Sequence, residues 1–89
     1  MSHYYNEVVY WLQQYGNTGA PDKQAVETFV EVETDEKVRA LRGQLYAISQ
    51  GKLNEPQMDK VIGKARKLRH GSYEDWAKVM LLWMSGLRG

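Results

Sequence analysis

Hydrophobic residues recur along this chain at intervals of three and four, and the intervals predict helices almost from end to end. Tyr4, Val8, Trp11, Leu12 and Tyr15 share one face of a first helix running from about Ser2 to Tyr15. Gly16 stands where a left-handed C-terminal cap belongs. Asn17-Thr18-Gly19-Ala20-Pro21 then reads as a loop.

From Pro21 to about Glu33 two periods compete. Val26, Phe29 and Val30 fit a helix opened by Pro21 or Asp22, whereas Phe29-Val30-Glu31-Val32-Glu33-Thr34 alternates as a strand does. A strand needs a partner and the chain has no second strand pattern, so helix is the expectation.

The next three elements are better punctuated. Thr34 or Asp35 caps a third helix carrying Val38, Leu41, Leu45 and Ile48 inward and closed by Gly51. Asn54 caps a fourth, with Pro56 in its first turn; Met58, Val61, Ile62, Ala65 and Leu68 form its apolar stripe, and Lys67, Arg69 and His70 crowd its last turn. Ser72 caps a fifth, with Asp75 placed to reach back, and Trp76, Val79, Met80, Trp83 and Leu87 follow on one face. The expected fold is therefore all-α: one small bundle of four to five short helices, a single domain over residues 1–89.

Trp76 is expected to be buried in the domain's own core. The run Val79-Met80-Leu81-Leu82-Trp83-Met84 wraps the whole circumference of the last helix, so that helix is either central or meets another chain. The run is far shorter than the roughly 18 residues of a membrane span. With no basic, apolar leader at the start, the chain is expected to be cytoplasmic.

Composition narrows the chemistry. Without cysteine there are no disulfides, thiolate metal sites or cysteine nucleophiles. Glycine-rich phosphate loops and metal-binding motifs are absent. Two histidines remain. His70 and Glu74 have the spacing of a one-helix metal pair, but Gly71 and Ser72 interrupt the helix between them; His3 lies near the terminus. No enzyme, metal, cofactor or small-molecule substrate is expected.

Two surfaces are candidates for binding. Aromatic residues concentrate in the first and last helices, where charges are few, as in interface cores. Tyr5, Trp11, Tyr15, Leu81 and Met84 are the expected contact residues for a protein partner or a homodimer, although a small bundle also needs such side chains in its core. The alternative is nucleic acid, held by Lys60, Lys64, Arg66, Lys67 and Arg69 on the fourth helix, with Arg39, Arg42 and Tyr46 on a second polar face. A solvated lysine face is also what any amphipathic helix displays. The junction between the third and fourth helices resembles a helix-turn-helix in having Ala47 and Gly51 four apart and a basic helix after the turn, but Gln50, Lys52 and Gln57 are polar where such a turn is apolar.

A net charge of +1 conceals a division. Residues 1–36 hold seven acids and Lys23 as their only base, while residues 37–89 hold eleven Lys/Arg and four acids. The expectation is that acidic helices lie against basic ones within the molecule.

Overall fold

The computed structural model describes residues 5–86, so Ser2, His3, Tyr4 and Leu87 lie outside the described residues. It has six α-helices and, among those residues, no strand: α1 (Asn6–Trp11), α2 (Asp22–Val32), α3 (Asp35–Ser49), α4 (Glu55–Val61), α5 (Lys64–His70) and α6 (Tyr73–Ser85). The competition in residues 28–34 is won by helix as far as Val32, because Ala25, Val26, Phe29 and Val30 all bury along one side of α2; Glu33 and Thr34 are extended and link it to α3.

The expected fourth helix is two. Its break is at Gly63, whose φ of 100° lies in the region only glycine enters without strain. Ile62 and Gly63 both direct their N–H groups back to the Met58 carbonyl, which closes α4, and α5 starts afresh at Lys64. The break changes the phase of everything after it. Met58 and Ile62 stay buried, but Ala65 and Leu68, placed in the same stripe by the sequence, turn outward.

Gly16 has a different role from the left-handed cap expected of it. α1 runs on through a π-helical turn, Leu12–Gly16, closed by the Asn17 N–H on the Leu12 carbonyl at 2.9 Å. A Cβ at Gly16 would lie 2.6 Å from the Trp11 ring, so the missing side chain admits the indole. Glycine serves here by its size.

α6 is the central element, packing against α2, α3 and α5 and most extensively against α3. Its inward line is Tyr73, Trp76, Ala77, Met80 and Met84, which settles Trp76 as a core residue and moves Met84 into the core from the partner-facing flank assigned to it. Trp83 is only half-buried, and Leu82 faces solvent. The Trp11 and Trp76 rings meet at 6.2 Å between centroids, tilted by 52°, and Phe29 makes T-shaped contacts with Tyr10 and Tyr15.

The expected caps at Thr34, Asn54 and Ser72 each accept the N–H three residues on. α1 has no cap of its own. Its Glu7 and Val8 N–H groups donate instead to Gln44 Oε1 of α3, at 2.9 and 3.1 Å, and Gln44 Nε2 donates to Asn6. Satisfying one helix's open donors with another helix's side chain fixes α1 on α3 as well as ending its fraying.

Candidate interaction surface

The aromatic interface expected from composition is largely inside the molecule. Trp11 and Met84 have no solvent exposure, Tyr5 is buried, and Tyr15 and Leu81 are half-covered against the same core. The Tyr10 and Tyr15 hydroxyls both donate to Glu33 Oε2, at 3.0 and 2.5 Å. Burial and the Glu33 bond push Tyr15 up to about 12, and the Tyr15 bond holds Glu33 below the usual carboxylate range. Beside them Lys37 pairs with Glu7 at 2.8 Å and lies over the Tyr10 ring. Rings that fill a core and hydroxyls tied to one carboxylate leave little of this set for a partner.

The basic set divides differently. Lys60 sits on α4 and the other four on α5, so the break at Gly63 separates residues that the sequence placed on one face. Arg66 turns inward. Its Nε and one Nη hold the Asp22 carboxylate at 2.9 and 3.0 Å, and its remaining donors reach the Gly16 and Ile62 carbonyls and Asn17 Oδ1. A guanidinium so fully engaged is a structural clamp rather than a free phosphate ligand. Lys67 pairs with Glu55 across to α4 at 3.1 Å. Lys60, Lys64 and Arg69 are exposed and join no ion pair among the described residues.

Asp22 is the other half of the clamp. Buried at the start of α2, it also accepts the Trp76 indole N–H at 3.1 Å. Burial would raise its pKa, but the hydrogen bonds from Arg66 and Trp76 and the Arg66 charge outweigh burial and hold it below the ordinary value. The acidic and basic halves of the chain therefore do touch, at Asp22–Arg66 and at Glu7–Lys37, although the exposed charges of each half do not take part.

What this clamp positions is α5, and α5 is unusual. None of its seven residues is buried. At 100° per residue Lys64, Leu68, Ala65 and Arg69 fall within about 140° of arc, and all four are exposed, Leu68 by 82%. Arg66 and His70 take the opposite side, half-buried. The helix is held by polar bonds on its inner side and presents an apolar residue among cations on its outer one. A polar groove of about 350 Å³ runs beside it, lined by Gly16, Asn17, Pro21, Asp22, Arg66 and Arg69 among others.

Sequence reasoning assigned Leu68 to the core and saw Asp22 only as a helix opener. The signal for the first was Gly63 itself, a glycine in mid-pattern; no local signal pairs Asp22 with Arg66. A second hollow, about 490 Å³, lies along α3 beside Tyr5, Ala40, Gly43, Gln44, Ala47 and Lys52. Among the described residues no group of three or more His, Asp or Glu side chains could hold a metal ion, and no helix is long and apolar enough to cross a membrane.

No known protein family, curated protein or solved structure matches the chain.

Proposed function

We propose that this protein is a non-enzymatic binding module that meets an acidic protein surface through the outer face of α5. The observation that carries this reading is Leu68, 82% exposed between Lys64 and Arg69 on a helix that buries none of its own residues. An exposed apolar residue flanked by two cations suits a partner that offers carboxylates around an apolar spot. The same proposal places the module in the cytoplasm, as a fold that needs no disulfide to hold its core.

The second reading is nucleic acid, favoured by the three unpaired cations Lys60, Lys64 and Arg69. Three phosphate contacts would give a salt slope of only about −2.7 in logarithmic units. A phosphate backbone would also leave Leu68 with nothing apolar to cover it, which is why protein is preferred.

The two readings separate in one titration series. The probes are a synthetic acidic peptide of Glu and Leu, a duplex oligonucleotide and a single-stranded one, each at about 50 and 200 mM salt. Peptide binding that is lost in a K64E/R69E variant supports the proposal. Oligonucleotide binding with the expected slope, exceeding that of the peptide, selects the second reading. If no probe binds, both are removed.

A further inference from the structure

Two stretches of the chain carry charge of a single sign. Residues 27–36 contain Glu27, Glu31, Glu33, Asp35 and Glu36 and no base, while residues 60–69 contain Lys60, Lys64, Arg66, Lys67 and Arg69 and no acid. Each block has one large apolar side chain standing in solvent: Val32, 67% exposed, in the first, and Leu68 in the second. Glu31, next to Val32 on α2, and Glu36, in the first turn of α3, are exposed, as Lys64 and Arg69 are on α5, and Glu27 lies one turn before Glu31.

The two blocks cannot meet within one chain. The Asp22–Arg66 clamp holds α5 at the first turn of α2, whereas Glu31 and Val32 occupy the last. Val32 ends the helix that Asp22 begins, so about 15 Å of helix separates Val32 from the clamp. That exceeds the Debye length of about 8 Å at physiological salt. Val32 and Leu68 therefore both stay exposed in the isolated molecule.

We infer that the partner of α5 is a second copy of this chain, whose α2–α3 corner, with Val32 among Glu27, Glu31 and Glu36, receives Leu68, Lys64 and Arg69. This rests on the reading of α5 as a protein-docking face and names its occupant. The contact joins unlike surfaces, so one chain uses its basic end and its neighbour the acidic one. Opposite charges around a small apolar contact give an association that is weak, steered and sensitive to salt.

Charge reversal on the full-length chain tests this. None of Lys64, Arg69, Glu27 and Glu31 joins an ion pair among the described residues, so K64E/R69E and E27K/E31K should keep the wild-type helical content, which circular dichroism checks at the temperature of the association measurement. Sedimentation velocity from micromolar to millimolar protein then reads association. The wild type should grow in average mass with concentration and shrink with added salt. Each variant alone should associate about tenfold or more weakly, and an equimolar mixture of the two should recover association, because the reversed faces match each other.

A wild type that stays monomeric throughout overturns the inference, as does a mixture no more associated than either variant alone. If the monomeric protein still binds the acidic peptide through Lys64 and Arg69, only the identity of the partner has failed. If it binds neither, the docking reading of α5 fails with it.

Discussion

Asp22 and Arg66, 44 residues apart in the sequence, are joined by two hydrogen bonds of 2.9 and 3.0 Å, and the same carboxylate accepts the Trp76 indole N–H. Three elements, α2, α5 and α6, are thereby fixed at one point. Both partners are largely desolvated, with side-chain exposures of 13% for Arg66 and 7% for Asp22.

Removing one member of this pair should be costly. Asp22→Ala strands the Arg66 charge and the Trp76 N–H, and about 3–5 kcal/mol of stability should be lost. The contribution also depends on pH. The folded pKa of Asp22 lies below its unfolded value, so the stability it provides is complete above about pH 4 and is lost as pH falls through the lower folded value. Denaturant midpoints measured from neutral pH downward should fall steeply for the wild type in that acid range and less steeply for Asp22→Asn.

At the alkaline end the sign is reversed. Tyr15 and Tyr73 are raised to about 12, by burial first and then by hydrogen bonds to Glu33 and Asp59. Their stabilisation is complete below the unfolded value of about 10 and disappears as pH rises through the folded one. Ultraviolet titration should show Tyr15 and Tyr73 among the phenols ionising late, together with loss of helical signal. Tyr73→Phe should remove one late phenol and flatten the alkaline fall in stability.

The Trp11–Gly16 approach gives a steric prediction. With only 2.6 Å available between a new Cβ and the indole, Gly16→Ala must shift a fully buried ring. The expected cost is about 1–3 kcal/mol, read from the denaturant midpoint, together with a change in tryptophan near-ultraviolet dichroism. An alanine tolerated with no change in either would show that the π turn gives way instead.

Truncations along α6 and α5 should sort by burial rather than by hydrophobicity. Trp76→Ala should cost about 3–5 kcal/mol and Met84→Ala about 2–5, since both side chains are fully buried. Half-buried Leu81 should cost less. Leu68→Ser should change stability by no more than about 0.5 kcal/mol, because the side chain already stands in water. Chemical denaturation of the four variants checks the order; a large loss from Leu68→Ser would place it in the core.

The sequence by itself determined most of the helices. The stripe Val38, Leu41, Leu45 and Ile48, the caps at Thr34, Asn54 and Ser72, and the burial of Trp76 follow from periodicity and short-range hydrogen bonding, which act over a few residues and can be read within a few residues. Only the tertiary structure decided which apolar residues remained outside. The φ of Gly63 turns Leu68 out to solvent, the packing of α6 among three helices takes Met84 in, and one carboxylate, Asp22, claims the arginine that the spacing assigned to a binding face. Each of these depends on partners distant in the chain or on a single dihedral angle. Periodicity carries no information on either, because a helical repeat fixes a residue's angle about its own helix axis but not what that side of the helix will meet.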